Sequence, residues 1–430
     1  MLRKKKSYLI PIIGFAIIMV LGAIFLSFPI SNKRDITLEK AFFTAVSATT
    51  CTGLIKFTTV EQFSIIGQII IAILMEIGAF GFLIFISYVC AILGKRMKLS
   101  DIIMINDNIS SDNYSEIKQY SIFIFNLMVK VQVIGAILLG IEFLPEYGIL
   151  KGIWYSIFHS ISAFSNAGFD LMKAGEFTYY KNNAYIQIVL SILMFLGSIG
   201  IFVIEDLKKN KFKNFKKLKL QTKIVIVGSG VLIVLPTILL KIFEPQISIL
   251  NSLFIVTSAR STGFGLLNIA DFSNVSKILL IILMFIGGSP ASTAGGIRIV
   301  AFFVIIATLI ATLRGREETI IFWRKVPDFT VKKSFTVFML FLIILSVATI
   351  IFAYNNTNLE TINIVFENVS AVTNTGLTMT DSNLINIHGD IILMLLMYIG
   401  RVGPLTLMLA FVNVDEKSKL IDYPSENLIL

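Results

Sequence analysis

Catalytic groups are scarce in this 430-residue chain. It holds two histidines, His159 and His388, no His-Glu-x-x-His pair, and no Ser, His and Asp at a spacing that would bring them together. What it offers instead is polar backbone. Four stretches of small and hydroxyl residues end on a glycine followed by Leu or Phe: Thr50-Cys51-Thr52-Gly53, Ser165-Asn166-Ala167-Gly168, Arg260-Ser261-Thr262-Gly263 and Thr373-Asn374-Thr375-Gly376. Apart from Arg260 they carry no fixed charge, so their chemistry is that of carbonyls, hydroxyls and amides. Carbonyl oxygens held around one axis can replace the hydration shell of a cation. Glycine at the shared position permits backbone conformations other residues resist and lets four backbones approach closely. A lone stretch of this kind is ordinarily a turn, so the signal lies in the repetition.

The repetition extends beyond these stretches. At 24 to 29 residues after each glycine stands the glycine of Met75-Glu76-Ile77-Gly78, Met194-Phe195-Leu196-Gly197, Met284-Phe285-Ile286-Gly287 or Met397-Tyr398-Ile399-Gly400. Two marks in register, four times over, define an internal repeat. Before each glycine stretch lies a short apolar segment, residues 38–49, 152–164, 249–258 and 359–372. At about 1.5 Å per residue such pieces reach only partway through a bilayer. They are too apolar for free loops, and re-entrant half-helices with their carbonyl ends toward the membrane middle account for both facts. The C-terminal end of a helix carries roughly half a negative charge, so four such ends on one axis attract a cation.

Composition agrees with a membrane setting. The chain is 56% hydrophobic and 15% charged, too apolar for an ordinary soluble protein. Residues 7–28, 184–204 and 334–354 carry no charge, and about 20 apolar residues cross the hydrocarbon as a helix. Five further runs qualify with small blemishes: 63–93 (Glu76), 121–141 (Lys130), 224–240, 278–313 (Arg298) and 391–412 (Arg401). Eight spans, two per repeat, are expected. Arg3 to Lys6 resemble the start of a signal peptide, but the apolar run after them is too long for one, so the first span is expected to be retained. Cys51 and Cys90 argue against a disulfide framework or metal cluster. Segments 1–6, 94–120, 206–223, 314–333 and 413–430 hold 24 Lys and Arg, against eight in the longer segments 31–60, 143–183, 242–276 and 355–390. The positive-inside rule then places both termini in the cytoplasm. The cluster from Lys208 to Lys223 reads as an anchor to anionic lipid, in preference to nucleic acid.

The third repeat is irregular. Gly287-Gly288-Ser289-Pro290-Ala291-Ser292-Thr293-Ala294-Gly295-Gly296-Ile297-Arg298 interrupts an apolar run too long for one span. Proline and four glycines cannot continue a helix undisturbed, and non-helical backbone at membrane depth must be buried or line water. Placed below a carbonyl ring, this loop would act as a gate; the bland alternative is a surface kink. A phosphate cradle lacks the Gly-Lys-Ser/Thr ending. The fourth repeat places Arg401 level with Gly287 and Gly288. An intramembrane arginine needs water or a partner. It either donates to carbonyls of the loop and latches it, or pairs structurally, Glu76 being one partner. Glu76 itself is either functional or merely paired. His159 on its half-helix reads as a packing residue more than a ligand.

These residues resemble the Trk/Ktr/HKT potassium transporter family, along essentially the whole chain. The loop 287–298 and the tail Tyr423-Pro424 look most like the Ktr branch. The resemblance implies four filter glycines (Gly53, Gly168, Gly263, Gly376), a potassium preference because all four are glycine, an intramembrane gate at 287–298 and a pore arginine, Arg401. Ala291 and Arg298 stand where the family is expected to carry Gly and Lys. It also implies a bacterial homodimer with one pore per subunit, docked on a cytosolic ring of nucleotide-binding subunits (KtrA-type), with Na+ as a conceivable activator. The expected fold is therefore an all-α integral membrane protein of four pseudo-symmetric span–pore helix–span repeats (residues 1–93, 94–206, 207–313 and 314–430) around a central pore. The expected function is gated potassium uptake across the cell membrane. An alternating-access transporter usually relies on two inverted repeats, and the missing catalytic constellations argue against a membrane enzyme.

Overall fold

The computed structural model describes residues 2–81, 85, 87–88, 114–173, 176–210 and 215–411. Cys90, residues 94–113 of the second basic segment and the tail from Asp415 lie outside them. The described chain is mostly helical.

Repeat 1 runs through α1 (Leu2–Ser27), α2 (Leu38–Thr49) and α3 (Ile65–Phe80). Repeat 2 follows with α4 (Tyr114–Tyr147), α5 (Ile149–Phe164), α6 (Ala184–Ser198) and α7 (Ile201–Lys209). Repeat 3 comprises α8 (Leu220–Phe243), α9 (Ile249–Ala259), α10 (Asn274–Ile286) and α11 (Ile299–Leu313). A hairpin of β1 (Ile320–Ile321) and β2 (Arg324–Lys325) leads to repeat 4: α12 (Asp328–Asn355), α13 (Thr361–Val372), α14 (Ile387–Val402) and α15 (Pro404–Phe411).

The opening helix of each repeat is a full span by length and composition, at Leu9–Ser27, Ser121–Tyr147, Leu220–Phe243 and Asp328–Asn355. Each keeps an outward apolar stripe exposed, for example Ile13, Ile17 and Leu21 on α1 or Ile343, Val347 and Ile350 on α12. In water such stripes would be costly; in hydrocarbon they are at home. The half-helices α2, α5, α9 and α13 are buried toward their C-terminal ends instead, while the N-terminal turns of α2, α5 and α9 keep Leu38, Ile149, Leu150 and Ile249 exposed. Two carry Ser or Thr caps, Thr37 accepting from Lys40 N and Ser248 from Asn251 N.

The second spans depart from expectation. Eight spans, only the third repeat's second one broken, were anticipated, but among the described residues three are broken. Besides the gap between α10 and α11, α6 and α7 meet at 90° and α14 and α15 at 86°. The hinges are Gly200 (φ +86°) and Gly403 (φ +91°), and Gly81 (φ +75°) ends α3 at the matching place. These glycines follow the Met-x-x-Gly glycines by three residues, giving Gly78-x-x-Gly81, Gly197-x-x-Gly200 and Gly400-x-x-Gly403. Only glycine takes such left-handed backbone cheaply, and Pro404 helps to start the new direction.

The core closes in a circle. One apolar cluster joins Phe43, Val46 and Leu54 of repeat 1 to Phe352, Ile364 and Met397 of repeat 4. Another joins Ala48 and Cys51 to Phe158 and Phe169 of repeat 2. A third links Phe143 and Leu190 of repeat 2 with Phe254 and Phe264 of repeat 3, and a fourth Val256 of repeat 3 with Phe366 of repeat 4.

Candidate functional site: a ring of four glycines

The four half-helices end where the glycine stretches begin. In repeats 1, 2 and 4 the last turn hands on to the loop through one backbone bond pattern, Thr52 N donating to Ser47 O, Ala167 N to Ser162 O and Thr375 N to Ser370 O (each 2.9 Å), whereas in repeat 3 Thr262 N donates to Ser258 O (2.8 Å), one residue out of register. The glycines beyond them all lie in the left-handed region, at φ +91° for Gly53, +68° for Gly168, +86° for Gly263 and +85° for Gly376.

Their neighbours form a cycle. A Cβ built on Gly53 would strike the Ala167 carbonyl oxygen, one on Gly168 that of Thr262, one on Gly263 that of Thr375, and one on Gly376 that of Thr52. The order Gly53, Gly168, Gly263, Gly376 thus returns to its start. Four carbonyls from four repeats circle a common axis, each in the space a side chain would fill.

Side chains buttress the ring from behind. The hydroxyls of Thr50, Ser165 and Thr373 donate to the half-helix carbonyls of Val46 (2.8 Å), Ile161 (2.6 Å) and Val369 (2.7 Å). They are therefore spent on the helix ends and do not face the axis. One residue on, Cys51 Sγ donates to Met75 O (3.4 Å) and Asn374 Nδ2 to Met397 O (2.8 Å). Asn166, with its amide oriented to satisfy both ends, reaches Met194 O (3.2 Å). In repeats 1, 2 and 4 the methionine carbonyl of the Met-x-x-Gly mark thus holds the residue two before the ring glycine, which accounts for the register of these marks. The Asn amides also clasp the next repeat, Asn166 to Thr262 Oγ1 (2.6 Å) and Asn374 to Thr52 Oγ1 (3.0 Å). In repeat 3 the equivalent Ser261 hydroxyl is buried without a partner among the described residues.

Arg260 sits in the ring's sequence but not in its lining. Its guanidinium, 2% exposed, runs back to Ser229 Oγ on α8 (3.2 Å). His159 is a packing and bonding residue: Nδ1 lies 2.8 Å from Tyr155 O and Nε2 accepts from Leu171 N (3.3 Å). Its counterpart in repeat 4, nine residues before the glycine, is Glu367, which the sequence reading passed over. Glu367 Oε1 accepts from Thr378 Oγ1 (2.7 Å), Met379 N (2.9 Å) and Thr380 N (3.0 Å). Both residues pin the strand that leaves the ring. The common spacing of nine from glycine was the signal available.

Loop 287–298 lies against the same helix ends. Thr293 donates from N to Gly197 O (3.3 Å) and from Oγ1 to the Asn166 amide oxygen (2.5 Å), both in repeat 2. Ser289 N donates to Ser198 O (3.0 Å). Gly295 abuts Thr373 O of repeat 4 so closely that no Cβ fits. Repeats 2 and 4 are opposite one another in the glycine cycle, so the loop crosses beneath the ring. Arg401 Nη1 donates to Thr293 O (2.7 Å), and its Nη2 donates to Gly78 O of repeat 1. One loop and one guanidinium therefore connect all four repeats. Arg298 Nη1 closes the loop on Ser289 O (3.1 Å). A cavity of about 650 Å³ opens there, lined among others by Pro290, Ala291, Arg298, Asn374 and Arg401.

Glu76 does not meet Arg401. Its carboxyl lies beside Gln132 of α4, on the seam between repeats 1 and 2. The equivalent positions pack the same way onto the next repeat: Phe285 against Phe338 and Phe341, Tyr398 donating to Ile12 O (2.7 Å). The ion-pair reading of Arg401 is thereby replaced by bonds to two carbonyls.

Fold and ring together define a multi-pass membrane protein whose four glycine stretches close in a circle. Comparison with known proteins places it further. Residues 8–423 match TrkH, cation transport protein. The chain is 33% identical over 425 residues to the Ktr system potassium uptake protein B of Bacillus subtilis (strain 168), covering 96% of this chain and 94% of that one. It is 31% identical over 433 residues to the potassium/sodium uptake protein NtpJ of Enterococcus hirae, covering 97% and 95%. Its fold matches the potassium transporter TrkH of Vibrio parahaemolyticus with a TM-score of 0.75 at 16% identity, over 95% of this chain and 85% of that one. The chain belongs to the TrkH family of cation transport proteins.

Proposed function

We propose that this protein takes up potassium across the bacterial cell membrane through a gated, selective pore, and that it is no enzyme. The observation that carries the reading is the closed cycle of glycines and carbonyls. Dehydrating potassium needs a full set of replacement oxygens at fixed distance, and four repeats supply them symmetrically. The membrane potential offers about 2.3 kcal/mol per charge per 100 mV for entry. Loop 287–298 is the gate and Arg401 its latch: the loop crosses below the ring, and the guanidinium donors end on its carbonyl and on the opposite wall. The arginine also sets a positive barrier to cations. The names of the B. subtilis and E. hirae relatives support potassium as cargo, and the latter supports sodium as a second cation. The Ktr-system names support assembly with partner subunits; the family resemblance makes these a second copy of the chain and a cytosolic nucleotide-binding ring, and the charge bias supports cytoplasmic termini.

Potassium uptake in a host lacking its own systems tests this, first with the chain alone and then beside a candidate cytosolic subunit. Uptake saturating with external potassium is expected, and deletion of residues 291–295 should raise it severalfold. No uptake in either setting removes the reading; parental uptake in the deletion removes the gate.

A further inference from the structure

The connection between repeats 3 and 4 holds a feature the transport reading does not use. Its hairpin pairs Ile320 with Lys325 and Ile321 with Arg324, leaving Phe322 and Trp323 as the two turn residues. Both are left-handed, Phe322 at φ +49° and Trp323 at φ +62°. Such a two-residue turn ordinarily takes Asn-Gly, because side chains resist positive φ at both places. Two large aromatics there are a local cost, and strained backbone of this kind marks places kept for another purpose. Trp323 is 98% exposed, while Phe322 packs its ring edge-on against Phe215.

The hairpin base folds back onto α11. Thr319 at its base is buried, and its Oγ1 lies 3.0 Å from Thr308 Oγ1 of α11. Val326 N closes the base on Thr319 O (2.8 Å). Thr308 is ten residues below Arg298, about 15 Å along a helix axis. The loop ending at Arg298 lies at the half-helix ends, near mid-membrane, and half the hydrocarbon thickness is about 15 Å. The hairpin is therefore folded back to the level where hydrocarbon meets headgroups. Arg314, Arg316 and Arg324 in the same connection are exposed, while Glu318 takes up Lys325 (2.5 Å). An exposed indole at this depth, with Arg324 next to it in the chain and Arg314 and Arg316 exposed in the same connection, has the chemistry of the membrane interface: the ring suits the headgroup level and the cations suit anionic phosphate.

We propose that the Phe322–Trp323 hairpin is a binding element for anionic lipid headgroups. It holds the lower half of the broken third span, α11, at the inner membrane surface. On the gate reading above, the upper end of that same helix carries loop 287–298, so anionic lipid at the hairpin biases the gate through one rigid helix.

The chain has two tryptophans, Trp154 and Trp323, which makes the contact readable. The full-length protein with Trp154→Phe, in nanodiscs, should show Trp323 emission blue-shifted relative to detergent. Phosphatidylglycerol brominated near the headgroup should quench it. Arg324→Gln should raise the fraction of that lipid needed for half-quenching about fivefold, the contribution of one basic residue at an anionic surface. Trp323→Gly restores a favourable turn residue, so the hairpin persists while the quenched signal is lost. Should Trp154→Phe fail to fold, the difference between parent and Trp323→Gly spectra gives the same reading. Emission open to iodide and indifferent to brominated lipid overturns the proposal. So does equal quenching by phosphatidylcholine with no effect of Arg324→Gln, or a response only to added cytosolic protein, which would assign the hairpin to a protein partner. The readout is independent of flux, so its failure leaves potassium uptake standing, and the reverse.

Discussion

A methyl group on any ring glycine meets backbone, not a flexible side chain, and that decides what substitution does there. At Gly53 the obstacle is the Ala167 carbonyl, one of the ring oxygens themselves. Relief requires either that carbonyl to move or Gly53 to leave φ +91°, and left-handed backbone costs a non-glycine residue about 1–2 kcal/mol. Gly53→Ser should therefore reduce discrimination of potassium over sodium by roughly tenfold, 1.4 kcal/mol being one decade. Competition uptake in a deficient host measures it, and unchanged selectivity would remove Gly53 from the filter. Glu367 allows a second test. Substituting Ala strips the acceptor from two buried amides, at about 1–3 kcal/mol for each group left unpaired. Glu367→Ala should lower thermal stability by several degrees, with Glu367→Gln, which keeps an oxygen, falling between; equal losses would show that charge and not the acceptor matters. The glycines were legible because four copies share one backbone requirement. Glu367 was not, since its partners are main-chain groups that leave no pattern in residue types. Ala291 was legible in a different way: it replaces an expected glycine and sits at φ +55°.

Among the elements, the second spans carry the design. The break at 287–298 could be read from proline and glycine content. The bends at Gly200 and Gly403 could not be read from apolar runs, because a kinked helix pair is as hydrophobic as a straight one; only the G-x-x-G spacing marked them. The two hinges allow a paired experiment. Both have strongly positive φ, so alanine strains the backbone equally at each. At Gly200 the added methyl also runs into Pro290 O and Ser289 Oγ of the loop at 2.7 Å, whereas at Gly403 the nearest atom is Thr406 Oγ1 at 3.7 Å. Gly200→Ala should thus dislodge the loop and raise potassium flux severalfold, while Gly403→Ala costs about 1–2 kcal/mol of stability with little change in flux. Flux raised alike in both would mean that bending, not the loop, sets conductance.

For the whole molecule, the vulnerable point is the seam where a fourfold ring made from one chain must close on itself. Repeats 1 to 4 follow each other covalently, but repeat 4 meets repeat 1 only through packing and polar contacts. Lys56, three residues after Gly53, crosses that seam: Nζ lies 2.5 Å from Asp390 Oδ1 of α14 and donates to Ser382 O (2.7 Å). It also sits 5.6 Å above the Phe43 ring. Both side chains are nearly inaccessible, at 5% and 6% exposure. Breaking a buried pair from one side leaves an uncompensated charge, at about 3–5 kcal/mol, whereas replacing both partners by apolar residues is often neutral. Lys56→Met should accordingly destabilise the protein strongly and loosen the Gly376–Gly53 junction, so that selectivity falls together with stability. The double variant Lys56→Met with Asp390→Leu should recover most of the stability. Selectivity in that double variant separates two causes. If it returns with stability, the pair acts by closing the ring; if it stays low while the fold is sound, the Lys56 charge itself acts on cations at the mouth. Thermal unfolding of the three proteins beside sodium-competition uptake decides between them, and Lys56→Met with parental behaviour in both assays would mean that apolar packing alone holds the seam.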